Sequence, residues 1–289
     1  MLEQLPTELF FEILQCAAWM FLANDRGTVV ALAQTSKTVH DLIAPTLYHT
    51  MIITHENRRN IEQLTTSPEL QASAERVCRL VRFLVIVTSP NSVDLKWFTG
   101  VHNFSGPSQM ITSLPVTALA TLKKASLWYK TYVNAVKSLP QKVKETLTHV
   151  SGYAWGASDL GHDPDGWCTQ IIDTLPALTH IAFEFVDSTD QDVDEFSAEN
   201  LFMGDLERVL LTALSYPRIS CIAIRIAGAF LPRSTDVQQL VLRLKEPRLR
   251  VWIDERPFPL WSDADLASVH DAHHGRVVWT EAQPIQVQA

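Results

Sequence analysis

The four residues Leu147-Thr148-His149-Val150 return as Leu178-Thr179-His180-Ile181, 31 residues further along the chain. Each tetrad opens a β-rich run, Val150 to Trp155 and Ile181 to Val186, and a helix candidate, Trp167 to Leu175, lies between them. Two like strands joined through a helix form a crossover, and a crossover makes them parallel. The rhythm continues with a helix over Leu206 to Tyr216 and a strand over Ile219 to Ile226. Thr235 to Leu244 and Asp263 to His270 then read as helices, and Leu249 to Ile253 and Arg276 to Trp279 as strands. Upstream, Val81 to Val87 reads as the first strand of this region, stopped by Ser89-Pro90-Asn91-Ser92. Residues 91–140 carry a weaker signal: Phe104 to Ser108 reads as loop, and Ala125 to Tyr129 as a strand between helices over Ser113 to Lys124 and Lys130 to Leu139. The period is about thirty residues, with one longer interval where Asp187 to Asp194 inserts an acidic loop. That rhythm predicts an α/β solenoid with a parallel sheet over 81–282 and a flexible tail over 283–289. The alternative is a single open α/β sheet without true repeats.

Ahead of residue 81 the period is helical. Leu9, Phe10, Ile13, Leu14 and Ala17 make one wide apolar face, with Pro6 and Glu8 suited to the first turn of a helix. A second apolar run covers Val29 to Ala33 and a third Thr35 to Ile43, ended by Pro45. Three helices in about fifty residues cannot bury that much apolar surface among themselves, so part of it wants a partner. Glu56 to Ser67 and Leu70 to Leu80 read as helices of a linker over 56–80.

The spacing of Leu5, Pro6, Glu8, Leu9, Ile13, Leu14, Leu32, Thr35, Ser36, Val39, Leu47 and Tyr48 resembles the F-box, and the continuation Tyr48 to Ile53 resembles its fungal branch, in which a short strand leaves the box. The resemblance covers residues 1–55. Leu175-x-x-Leu178-x-x-Ile181-x-Phe183 in turn resembles the front of a degenerate leucine-rich repeat. Together they imply an α+β chain: a three-helix F-box followed by a leucine-rich-repeat-like α/β solenoid. The resemblance implies a substrate-recognition subunit of an SCF-type ubiquitin ligase, cytoplasmic or nuclear and without catalytic residues of its own. Its partners would be the SCF adaptor subunit, through it a cullin, and a target protein. The implied adaptor-binding residues are Leu5, Pro6, Leu9, Ile13, Leu14, Leu32, Thr35, Val39, Leu47 and Tyr48. A non-degradative scaffold of the same family, or an enzyme with an N-terminal helical cap, are the alternatives.

Chemistry-bearing motifs are sparse. His270-Asp271-Ala272-His273-His274 offers two imidazoles at helical spacing but no third ligand at a recognisable distance, and neither a metal nor a cofactor is expected. Phosphate-binding glycine loops and a nucleophile elbow are absent from the sequence. The net charge of −8 argues against a nucleic-acid binder. No apolar run is long enough to span a membrane, and the widely spaced Cys16, Cys78, Cys168 and Cys221 suit reduced thiols. Strand alternation, with Ile222, Ile224 and Ile226 inward, puts Glu184, Arg225, Arg250 and Trp252 on an open face. Arg and Trp are common interface anchors, so these four are the expected target-binding residues.

Overall fold

A computed structural model describes residues 6–22, 25–87, 93–128, 132–154, 164–185, 195–227, 232–255 and 282–283. Eight strands form one sheet: β1 (Thr50–Ile53), β2 (Phe83–Ile86), β3 (Asn103–Pro107), β4 (Lys124–Trp128), β5 (His149–Ala154), β6 (His180–Phe185), β7 (Cys221–Ala227) and β8 (Leu249–Asp254). They lie side by side in chain order, and every neighbouring pair is parallel. Helices α1 (Thr7–Leu22), α2 (Arg26–Ala33) and α3 (Lys37–Leu47) precede β1. The crossovers carry α4 (Arg58–Thr66) and α5 (Gln71–Cys78), then α6 (Ser108–Ile111) and α7 (Val116–Thr121). They continue with α8 (Tyr132–Lys137), α9 (Gln141–Thr146), α10 (Pro164–Thr174), α11 (Glu195–Leu214) and α12 (Ser234–Leu244).

One device recurs at the strand starts. Two successive backbone amides donate to a single carbonyl at the start of the preceding strand. Arg82 and Phe83 share the oxygen of His49, Lys123 and Lys124 that of His102, and Thr148 and His149 that of Lys123. Thr179 and His180 share Thr148, and Ser220 and Cys221 share Thr179. The hydroxyls of Thr148, Thr179 and Ser220 donate to the same carbonyls at 3.1–3.2 Å. The echoed Thr-His pair of the sequence is this junction.

Because side chains alternate along each strand, in-register pairing divides the sheet into two faces. Leu84, Ile86, Phe104, Leu127, Val150, Ile181, Phe183, Ile222, Ile224 and Ile226 line one, buried in a single core with Cys78, Ile111, Val143, Ile171, Leu206 and Val237 from the crossovers. Each such side chain contributes about 1.5–3 kcal/mol of transfer free energy. Parallel sheets are usually apolar on both faces. The other face here carries rows of polar groups instead: Ser105, Ser126 and Ser151 in one, Lys124, His149, His180 and Cys221 in another.

The expected α+β arrangement of an F-box followed by a leucine-rich-repeat-like solenoid is corrected to one all-parallel α/β sheet. Its first strand, β1, lies within residues 1–55, and α4 and α5 are the crossover from β1 to β2. The sheet therefore starts at Thr50 and not near Val81. Nor is there a fixed period, since successive strand starts lie between 20 residues (Phe83 to Asn103) and 41 residues (His180 to Cys221) apart. What recurs is the junction and not a unit of set length. The chain-order sequence of strands is also that of an eight-stranded α/β barrel. Among the described residues no ladder joins β8 to β1, and the outer side of β8 is bridged antiparallel by Gln283, which exchanges both backbone bonds with Val251.

Two local expectations are also corrected. Pro45 does not end α3, which runs two residues further to Leu47 before Tyr48 caps it. Phe104 to Ser108 is not loop, since Asn103–Pro107 is β3, paired on both sides. Asn, Gly and Pro hide that strand from a propensity reading. Gly106 adopts φ +150°, and a Cβ there would meet the backbone oxygen of Ile86 at 2.8 Å. The expected helix over Asp263 to His270 and strand over Arg276 to Trp279 lie outside the described residues. Gly106→Ala should lower unfolding free energy by about 1–3 kcal/mol, read as a lower urea midpoint at unchanged m; an unchanged midpoint would contradict the strained geometry.

Candidate functional site

The residues expected on an open face do share a face. Glu184, Arg225 and Trp252 stand side by side on β6, β7 and β8. They are nevertheless buried, with 3%, 1% and 8% of their surfaces exposed, so the expected target-binding surface is corrected to an interior cluster. Arg225 donates through Nη1 to Glu184 at 3.0 Å and through Nη2 to Asp254 at 2.7 Å. The Trp252 ring lies 4.2 Å from its guanidinium carbon, a cation–π contact. Ala182 and Ala223, one position earlier on that face, leave room for Trp252 and Ala282, and all four are buried together. Alternation assigned the face correctly, but it carries no information on what covers the face. It would also have found Asp254, two positions past Trp252. Of the four expected residues, only Arg250 is exposed.

Towards the strand starts the same face is half-open. His149 and His180 stack with ring centroids 3.9 Å apart and planes 13° apart. Each Nδ1 meets the hydroxyl of the preceding threonine, at 2.9 and 2.8 Å. Burial pushes the His149 imidazole down to about 3, and His180 and Lys124 add to the effect. His180 is lowered by burial and by Lys124 and Arg250. Both rings are therefore held neutral. Among the described residues no three His, Cys, Asp or Glu side chains gather as a metal site. The His270 to His274 segment lies outside the described residues.

The N-terminal helices pack on a small core of Ala18, Val29, Ala33, Ile43 and Leu47, with Leu32, Val39 and Tyr48 against it. Ser36 caps α3 by accepting from the Val39 amide at 3.2 Å, and Asp25 caps α2 through the Thr28 amide at 3.1 Å. Of the expected adaptor-binding residues, Pro6, Leu9, Ile13 and Thr35 are exposed, Leu14, Leu32, Val39 and Tyr48 are half-buried, and Leu47 is buried. Leu5 lies outside the described residues. Sequence reading missed that α1 runs on through Leu22, which carries Trp19, Met20 and Phe21 on the same exposed helix. The absence of Gly or Pro between Gln15 and Leu22 was the available signal.

No known family profile matches the chain, and no curated protein does. A solved structure titled a novel GH10 endoxylanase retrieved from sugarcane soil metagenome aligns with 70% of this chain and 68% of its own, at 11% identity and a TM-score of 0.31. That superposition transfers nothing of the endoxylanase's chemistry to this chain. The expected role as a ligase's substrate-recognition subunit or scaffold is withdrawn nonetheless, because its repeat domain is an aperiodic eight-stranded sheet and its target surface is an interior cluster. The exclusion of an enzyme depended on that role and goes with it, since sheets of parallel strands host many catalysts.

Two measurements check this site. Arg225→Met should cost about 3–5 kcal/mol of stability, because it removes the guanidinium that bridges two buried carboxylates; a loss under about 1 kcal/mol would remove the cluster's structural role. The second concerns pH. Above about 6.5 the imidazole is neutral in both folded and unfolded chains. As pH falls from 6.5 towards 3, the unfolded chain binds a proton that folded His149 refuses, so stability falls through that window. His149→Gln should flatten that slope in urea melts, and an identical slope in the variant would contradict it.

Proposed function

We propose that this chain is a protein-binding protein whose docking face is the exposed apolar side of α1. The carrying observation is where its exposed large apolar side chains lie. Of eleven among the described residues, six are on this one helix: Leu9, Phe10, Ile13, Trp19, Met20 and Phe21. Single exposed apolar residues are ordinary, but a contiguous set on one helix marks an interaction surface. Val30, also exposed, extends the face onto α2. The edge contact of Trp19 with His49, 5.0 Å between ring centroids, ties the far end of α1 to the start of the sheet. An amphipathic helix presented this way suits a helical or grooved partner.

As a binding partner only, and apart from the withdrawn ligase and scaffold roles, the candidate is the SCF adaptor subunit that the F-box-like spacing implies, in the cytoplasm or the nucleus. Leu9 and Ile13 are 47% and 54% exposed, so truncating them costs the fold little. Leu9→Ala with Ile13→Ala should therefore reduce adaptor capture at least about tenfold while the melting midpoint stays within error. Capture by the double variant at wild-type level, or none by the wild-type chain, would defeat the adaptor reading.

A further inference from the structure

The strand starts hold a charge pattern at odds with the chain as a whole. The protein is acidic, with a net charge of −8. Yet at the two residues that open each of β1 to β7 (49–50, 82–83, 102–103, 123–124, 148–149, 179–180 and 220–221) there is no Asp or Glu. Those positions instead supply His49, Arg82, His102, Lys123, Lys124, His149 and His180. Parallel in-register pairing sets them along one edge, and neighbouring strands lie about 4.8 Å apart. His102, Lys123 and Arg250 are exposed, and Lys124, His149 and His180 are half-buried. Not every base at this end serves the strip. Arg248 is held by Glu246, Nη2 to Oε2 at 3.0 Å, and by the carbonyls of Leu214 and Ile219. Arg82 is drawn towards the carbonyls of Arg79 and Gly100.

We propose that the row of Lys124, His149 and His180, with Arg250 further along the same face and with His102 and Lys123 flanking it from the preceding register position, binds a short acidic peptide segment laid across the strand starts. Charge complementarity carries the proposal: cations and imidazoles recur strand after strand at positions 49–50 to 220–221, and none of those positions holds a carboxylate. A short peptide touches only the strip, whereas a long nucleic acid also meets the repulsion of an acidic protein. The imidazoles add a signature. Burial is the main cause that depresses both rings and Lys124 adds to it; a carboxylate placed beside them offsets the Lys124 part and favours their protonated form. Binding therefore shifts both rings towards protonation and tightens on acidification while the peptide's carboxylates stay ionised. This surface is separate from the α1 face.

The test is fluorescence anisotropy of the full chain with a fluorescein-labelled oligoglutamate peptide, at about 50 mM and about 200 mM salt. The expected result is binding that weakens with salt and strengthens on acidification. Lys123→Glu with Lys124→Glu should lower affinity about tenfold or more at an unchanged melting midpoint. Arg250→Gln, an exposed single change, should lower it severalfold and stands in if the double variant does not fold. Lys137→Glu with Lys142→Glu, the same charge change away from the strip, should leave binding unaltered. Imidazole resonances of His149 and His180 should titrate at higher pH with peptide bound. No binding at low salt, equal loss in the Lys137 and Lys142 variant, or tighter binding of a single-stranded oligonucleotide of equal charge would overturn the proposal.

Discussion

The shared carbonyl at the strand starts is the constraint from which the rest of this architecture follows. From β2 to β7 each new strand hangs two amides on one oxygen at the start of the strand before it, so register is fixed at the first residue and carried along the ladder. Parallel strands added in chain order by right-handed crossovers keep the connecting helices on one side. One face of the sheet then meets helices throughout and must be apolar, as the unbroken Ile and Phe ladder of β6 and β7 shows. The other face is released from that demand, and there the sequence spends serine, histidine, lysine and arginine.

Where this second face is buried, polarity has to be compensated in place. Removing charges from water costs several kcal/mol per ion unless geometry and additional hydrogen bonds offset it. Arg225 meets Glu184 and Asp254 from neighbouring strands and lies against Trp252, so three strands are bound through one guanidinium. The same lateral logic works at the helix ends. Arg248, at the start of β8, gathers carbonyls of Leu214, Tyr216 and Ile219, fastening the end of α11 and its following turn to the next strand.

The described strands of the second half were legible where apolar residues alternate along a run, as in Ile219 to Ile226 against the observed Cys221–Ala227. The parallel sheet followed from the crossovers alone. β3 was not legible, because Asn103, Gly106 and Pro107 are poor strand formers and only sheet pairing holds them extended, on both sides at Asn103 and against β4 alone at Gly106 and Pro107. The placement of β1 was missed for a different reason. Four residues, Thr50–Ile53, carry no period of their own, and their partner lies thirty residues away across two helices. The site shows the same division. Alternation put Glu184, Arg225 and Trp252 on one face, but burial of that face depends on residues such as Ala282 that no local pattern connects to it.

The stacked imidazoles show how a cation-rich edge coexists with a tight ladder. Like charges directly opposite one another on adjacent strands repel. A lysine at 149 would set a second permanent charge next to Lys124 in the same in-register row, and one at 180 would extend the row of like charges by a strand. Histidine avoids this: burial and Lys124 keep the rings neutral, stacking replaces repulsion with a favourable contact, and the threonine hydroxyls fix the Nδ1 atoms. The row remains able to accept a proton once a neighbouring negative charge lowers the cost. An edge built from permanent cations would carry that repulsion at all times. This one avoids that repulsion because two of its members are neutral imidazoles.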